Sequence, residues 1–211
     1  MTQIPQLIHR KAGLWVFDKP SGWVVHPTND PAMENIVDWA QQTLPKAAGL
    51  APINRIDRET SGLVLMSPSS QTRGEIGKWF ADELVKKRYR CLVYGNPPPS
   101  GVIDTPLQDA RRASPLAATT RFEMLESFIS CAYLEVCPQT GRKHQIRRHL
   151  QGIGHAIVGE KRYKPKQFLK IPGFPGRLWL HAHWLRLPDG REFSAPLPDE
   201  LEAHLAVLRG L

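Results

Sequence analysis

Arg55, Asp57 and Arg58 lie close together in the segment Asn54-Arg55-Ile56-Asp57-Arg58-Glu59-Thr60-Ser61-Gly62, directly ahead of the apolar run Leu63-Val64-Leu65-Met66. Charged side chains beside a Gly and a strand-like hydrophobic run describe a polar loop pinned to the edge of a buried sheet. In extended backbone, residues two apart point the same way, which places Arg55 and Asp57 on one side and Ile56 on the other. A carboxylate and a guanidinium then share one surface. The same residues also describe a solvated turn carrying a surface ion pair, and such pairs are common and weak.

A second chemical signal lies further along, in Pro138-Gln139-Thr140-Gly141-Arg142-Lys143-His144-Gln145-Ile146-Arg147-Arg148-His149-Leu150. From Pro138 to Arg177 there are ten Lys or Arg residues and a single acid, Glu160. That concentration marks a footprint for phosphates more than an evenly solvated face, although any one member, Arg148 or Lys170 for instance, also fits a plain basic helix or loop. Between the two stretches, Lys86-Lys87-Arg88-Tyr89-Arg90-Cys91-Leu92-Val93-Tyr94-Gly95 alternates like a strand, with Tyr89, Cys91 and Val93 on one side. Tyr89 can serve as a nucleic-acid contact or as a packed core residue. His181 and His183 would share a strand face, but nothing nearby supplies an acidic or thiolate third ligand, so structural histidines are expected there and no metal.

Several elements must position these groups. Leu14-Trp15-Val16-Phe17 reads as a buried strand and Trp23-Val24-Val25 as a second one, joined as a hairpin by Asp18-Lys19-Pro20-Ser21-Gly22. A helix is expected from Asn35 to Leu44, capped by Asn29 or Asp30 and stopped by Pro45. Another enters at Ser67-Pro68-Ser69-Ser70 and carries Ile76, Trp79, Phe80, Glu83 and Leu84 at helical spacing. Ala117 to Val136 suggests two antiparallel strands broken near Ser127. A short helix follows from Lys143 to Leu150, then a strand over 178–187 and a final helix from Asp199 to Arg209.

The 211 residues suffice for a substantial core, and the 41% hydrophobic and 23% charged content is that of an ordinary globular protein. The net charge of +8 with a pI of 9.6 is less ordinary and favours a polyanionic partner. No apolar run approaches the roughly 20 residues that span a bilayer. The N-terminal residues lack the pattern of a secretory signal, so a cytoplasmic location is expected. Cys91, Cys131 and Cys137 form no C-x-x-C pair and sit in apolar surroundings, as buried free thiols would. Phosphate-binding and dinucleotide-binding glycine motifs are absent, as is H-E-x-x-H.

Taken in order, the motifs carry a family resemblance. Asp18-Lys19-Pro20-Ser21-Gly22 with His26-Pro27, Arg55 to Gly62, Lys87-Arg88-Tyr89, Asp104-Thr105-Pro106-Leu107, Thr140 to Arg147 and His181-Ala182 occur in the sequence that is found in RluA-type pseudouridine synthases, and the chain resembles that family over nearly its whole length. It departs at Asn54, where the family usually has His; Asn donates and accepts much as a neutral imidazole does and is expected to fasten the loop.

The resemblance implies an α+β fold: a mixed, mostly antiparallel central sheet flanked by helices, with a basic active-site cleft. It also implies one catalytic domain spanning 1–211, without the small N-terminal RNA-binding domain of many relatives, and a monomer needing neither metal nor organic cofactor. The implied reaction isomerises uridine in structured RNA by flipping the nucleotide out and rejoining the uracil through C5. Asp57, Tyr89 and Arg147 are assigned to catalysis. Asp57 acts at C1′ or at C2′, Tyr89 stacks on the flipped base, and Arg147, more than Arg55, holds Asp57 ionised. Arg55, Arg58, Arg142, Lys143, His144, Arg148, Lys161 and Arg162 are assigned to RNA. The motif variant leans toward tRNA as the target, with ribosomal RNA as the alternative. An inactive RNA-binding protein on the same scaffold is a further reading.

Overall fold

In the computed structural model, residues 3–30, 32–109, 112–165 and 169–211 are described; Lys166 of the basic tract lies outside them. The chain divides into two compact units, Met1–Val85 with Ala182–Pro196, and Lys86–His181 with Leu197–Leu211.

The first unit begins with an antiparallel hairpin, β1 (Gln6–Lys11) and β2 (Leu14–Lys19). Ala12 and Gly13 at its tip both have positive φ, 50° and 76°, as a primed two-residue turn requires. The hairpin expected between β2 and Trp23-Val24-Val25 does not form. Trp23 and Val25 are buried, and Val24 makes one isolated bridge to Asn35, so the apolar run packs as a buried loop without a ladder. Helix α1 (Ile36–Thr43) is capped by Asn35 itself, whose side chain accepts from Asp38 N; neither Asn29 nor Asp30 does this.

The short β3 (Ala51–Pro52) pairs with β4 (Ser61–Ser67), and β4 pairs antiparallel with β2, with Gly62 opposite Lys19. All seven residues of β4 are buried, which accounts for its unbroken Leu-Val-Leu-Met run. Helix α2 (Ser70–Ala81) starts at Ser69, whose hydroxyl accepts from Thr72 N. Ile76 on this helix, Leu14, Val16, Leu63 and Leu65 on the strands, and Val85 form the core of this unit together with Leu185, Leu187 and Phe193.

In the second unit β5 (Lys86–Tyr94), β6 (Ser100–Ile103), β7 (Thr120–Ser127) and β8 (Cys131–Pro138) pair antiparallel in the order β5-β8-β7-β6. Helix α3 (Gln145–Gly152) follows β8, and α4 (Asp199–Arg209) returns late in the chain. Ile146 and Leu150 of α3 and Leu201, Leu205 and Leu208 of α4 close a core built on Leu92, Leu134, Val136 and Trp179. Strand β9 (Leu180–Arg186) carries the chain from this unit back into the first, where β10 (Glu192–Ser194) pairs with it. Among the described residues, four helices attached to antiparallel strands constitute the α+β class that the resemblance implies. Cys91 and Cys131 are buried and Cys137 half-buried, all free; burial pushes the Cys131 thiol up to about 11, out of the range of a reactive thiolate.

Candidate active site

The loop that carries Asp57 is irregular between Ile53 and Thr60, so its geometry depends on side-chain ties. Lys19, the last residue of β2, supplies the principal one. Its side chain is fully buried, and Nζ donates to the carbonyls of Pro20 (2.9 Å), Trp23 (2.8 Å) and Arg58 (3.1 Å). Gly22 N also donates to the Arg58 carbonyl (2.8 Å), and Ser21 Oγ to that of Glu59 (2.7 Å). The other end of the loop is held by Asn54, whose Oδ1 accepts from Leu65 N (2.7 Å) while Nδ2 reaches the Leu63 carbonyl (3.5 Å). Asn54 thus fastens the loop to β4, as expected of a residue with both a donor and an acceptor.

Between these ties Arg55 is exposed, Ile56 buried and Asp57 half-buried, the alternation that extended backbone gives. Arg58 is exposed, and Thr60 N closes a turn onto the Asp57 carbonyl (3.1 Å). Gly62 ends the loop at φ +112°, and a Cβ there would lie 2.2 Å from the Ala182 carbonyl oxygen. Only Gly permits that approach.

In the second unit Arg147 is buried on α3. Its Nε donates to Glu160 Oε2 (2.6 Å) and its Nη2 to Oε1 (2.8 Å), a bidentate pair. Oε1 of Glu160 also accepts from the backbone N of Arg162 (2.8 Å) and Tyr163 (3.2 Å). Burial raises the Glu160 carboxyl, but the Arg147 fork and the two backbone N–H groups outweigh it and hold the group below its ordinary range. The Tyr163 hydroxyl in turn lies 2.9 Å from His144 Nδ1, and His144 precedes α3 in the left-handed region (φ 53°).

The motif Thr140 to Gln145 is folded around a buried polar network. Gln145 Oε1 accepts from Thr140 Oγ1 (2.6 Å) and Arg142 N (3.0 Å), and its Nε2 donates to the Thr119 carbonyl and Thr120 Oγ1, both at 2.9 Å. His149 bridges Thr120 Oγ1 (2.8 Å) and the Thr105 carbonyl (3.0 Å), which ties the Asp104-Thr105-Pro106-Leu107 segment to α3. Burial lowers the His149 pKa, so the ring stays neutral, with Nε2 donating to the carbonyl. Lys87 Nζ reaches the Thr140 carbonyl (3.4 Å) from the start of β5. Two residues on, Tyr89 is half-buried opposite Val136 of β8 and packs against the core of this unit.

A sequence profile described as RNA pseudouridylate synthase matches residues 13–152. The chain belongs to this family. The profile spans the Asp57 loop, Tyr89 and Arg147, and stops short of Glu160. An uncharacterized RNA pseudouridine synthase of Chloroflexus aurantiacus is 35% identical over 91% of this chain and 66% of its own length. The ribosomal large subunit pseudouridine synthase C of Vibrio parahaemolyticus is 32% identical over 96% of this chain and 69% of its own. The chain therefore spans about two thirds of the curated relatives it matches. Among solved structures, human RNA pseudouridylate synthase domain containing 4 superposes with a TM-score of 0.82 at 26% identity, covering 96% of this chain and 92% of that one.

The residues singled out in the pseudouridine synthase motifs differ in how they are held. Lys143, Lys161 and Arg162 are exposed. Arg142 and Arg148 are half-buried and donate to framework carbonyls, Arg142 Nε to Ala117 (2.9 Å) and Arg148 Nη1 to Gln108 (3.0 Å). His144, Arg147 and Arg162 gather around Glu160 and Tyr163, with the guanidinium carbons of Arg147 and Arg162 5.7 and 5.8 Å from the Tyr163 ring centroid. Sequence reasoning missed Lys19 as the anchor of the Asp57 loop, and it missed Glu160 and Tyr163 altogether. The signal for Glu160 was there: one acid within a tract of ten bases is better placed as a buried counter-charge than as a solvated exception. Among the described residues no three His, Cys, Asp or Glu side chains gather as metal ligands, and no helix is long and apolar enough to cross a membrane.

Proposed function

We propose that the protein isomerises uridine to pseudouridine in RNA. The observation that carries this is the family match over residues 13–152, which includes an Arg55-x-Asp57 loop whose backbone is clamped on both sides of the carboxylate. The reaction breaks the bond from C1′ to N1 and forms one from C1′ to C5; N1 gains a proton and C5 loses one, so no electrons are exchanged with a second reactant. In the roles carried over from the family motifs, the Asp57 carboxylate acts on the ribose, as nucleophile at C1′ or as base at C2′. Arg147 supplies the positive charge that favours the ionised form of that carboxylate. Tyr89 stacks on the flipped uracil and takes the C5 proton. Arg55 fills the space that the base vacates.

Arg58, Arg142, Lys143, His144, Arg148, Lys161 and Arg162 are the residues proposed to hold phosphates. For the substrate, the motif variant leans to tRNA, whereas the Vibrio relative and a second one, from Nitrosomonas europaea and 30% identical, are both named for the large ribosomal subunit. Those names support ribosomal RNA of the large subunit as the substrate to test first.

The test is to incubate purified protein with ribosomal RNA and with tRNA from cells lacking the gene, and to map pseudouridine by chemical modification and primer extension. Product at defined uridines is expected from the wild type and none from Asp57→Asn, whose RNA affinity should stay within about twofold because phosphate contacts dominate binding. Undiminished product from Asp57→Asn overturns the role of the carboxylate. Release of free uracil would make the protein a glycosylase, and binding without product on either RNA would make it an RNA-binding protein.

A further inference from the structure

Glu160 is the one acid of the basic tract and is fully buried, yet no step of the proposed reaction uses it. Its carboxylate makes two sets of contacts at once. One is the bidentate pair with Arg147 of α3, at 2.6 and 2.8 Å, where the two side chains retain 5% and 0% of their accessible surface. The other is with the backbone N–H groups of Arg162 and Tyr163, at 2.8 and 3.2 Å, in the irregular segment after Glu160 that exposes Lys161 and Arg162. The circuit closes through the Tyr163 hydroxyl on His144 Nδ1, at the residue before α3.

The Glu160 carboxylate therefore constrains both the rotation of the Arg147 guanidinium and the path of the chain that carries two exposed bases. A bidentate fork is a geometric constraint as well as an attraction, because both N–H vectors must stay in the plane of the carboxylate. With Nε and one Nη2 proton held by Glu160, the Nη1 end of the fork is aimed by the clamp.

We propose that Glu160 is a positioning residue: it orients Arg147 for catalysis and makes that orientation depend on the backbone of Arg162 and Tyr163. This rests on the pseudouridine synthase reading. Misplacing a charged group by about 1 Å can cost about a hundredfold in rate, so the effect belongs in kcat. RNA affinity comes from exposed bases that the substitution leaves in place.

The experiment compares wild type, Glu160→Gln, Glu160→Asp, Arg147→Lys and Glu160→Gln/Arg147→Lys in single-turnover pseudouridine formation, with folding of each confirmed by circular dichroism at the assay temperature. Glu160→Gln keeps the shape and removes the charge; Glu160→Asp keeps the charge and withdraws it by one methylene, which provides a second folded variant. Both should lose about ten- to a hundredfold in kcat with KM within about threefold. Adding Glu160→Gln to Arg147→Lys should cost nothing more, since a residue that acts only through Arg147 has nothing left to position.

Wild-type kcat in either folded Glu160 variant overturns the proposal. So does a full, additive loss in the double variant, which is what a general structural role gives, and so does a loss confined to KM. Absence of pseudouridine with the wild type overturns the underlying reading and this proposal with it; wild-type turnover with an unaltered Glu160→Gln overturns this proposal alone.

Discussion

Replacing Lys19 by Met tests whether the buried lysine organises the Asp57 loop. Met preserves most of the length and volume of the side chain and deletes the ammonium. The carbonyls of Pro20 and Trp23 then lose a buried donor, at about 1–3 kcal/mol each. The Arg58 carbonyl is part-buried, keeps the Gly22 N–H and loses less. Against this, the variant escapes the cost of holding an ammonium out of water, several kcal/mol for a buried ion. The acceptors are backbone groups fixed by β2 and its turn, which cannot turn to new donors, so the balance falls on the side of destabilisation, by about 3 kcal/mol. For a chain of this size that lowers Tm by about 6–12 °C.

Stability alone does not test the link to Asp57. Arg58 is the next residue, and leaving its carbonyl with the Gly22 N–H alone loosens the backbone that carries the carboxylate; a displacement of a fraction of an ångström suffices to cost about tenfold in rate. Urea unfolding of Lys19→Met should report the first effect, and single-turnover pseudouridine formation at a temperature where the variant is fully folded should report the second. An unfolding free energy within about 0.5 kcal/mol of wild type, the range of an uninvolved surface substitution, would refute the energetic reasoning. Loss of stability with unaltered kcat would show that Lys19 supports the turn and not the loop.

Gly62→Ala should cost more than about 3 kcal/mol and reduce soluble yield, because the positive φ is strained for Ala and the new Cβ meets a backbone carbonyl at 2.2 Å that no side-chain rotation can relieve; urea unfolding checks it. His149 and His204 are both buried with pKa values lowered first by burial, so the unfolded chain binds more protons than the folded one below the ordinary His value. Stability is therefore expected to be level above pH 6.5 and to decline as pH falls below it, with a second decline below pH 4.5 as Glu160 is protonated. His204→Gln, which removes the ring held between Trp179 Nε1 and the Pro172 carbonyl, should flatten part of the first decline in unfolding measured from pH 7 to pH 5.

Much of this arrangement is legible in the sequence, for reasons that also explain the misses. The β4 run and the alternation at the start of β5 are local patterns, and each gave an element close to its observed bounds. Trp23-Val24-Val25 misled because apolar burial and strand pairing are separate properties: the residues are buried, but the next ladder position beside β2 is taken by β4, which arrives from more than forty residues downstream. Asn29 and Asp30 are good capping types yet lie too far upstream of α1: the Asp30 carboxylate accepts from Ala32 N and the Thr28 hydroxyl donates to the Asp30 carbonyl, while Asn35 caps the helix. At the site, the chemical identities of Asp57, Tyr89 and Arg147 can be read from motifs. For Glu160 the sequence offers only its isolation among ten bases; that it is buried against Arg147 follows from the return of the chain after α3.

Lys19 and Glu160 serve opposite halves of one problem. A loop that presents charged groups cannot also satisfy its backbone in a ladder, and irregular backbone without partners is mobile. Around Asp57 the groups to be gathered are carbonyls, and a cation, Lys19, gathers three of them. After Glu160 they are N–H groups, and an anion gathers two while holding Arg147. Each clamp is buried, so its charge is neutralised by backbone dipoles or by the fork it holds, and neither spends charge on solvent. The net +8 of the chain is thereby left to exposed side chains such as Arg55, Lys143, Lys161 and Arg162. On the proposed reading, a substitution at a clamp is expected to remove stability and orientation together, whereas one at an exposed base such as Lys143 or Lys161 is expected to remove affinity, and this separation is what variant kinetics can resolve.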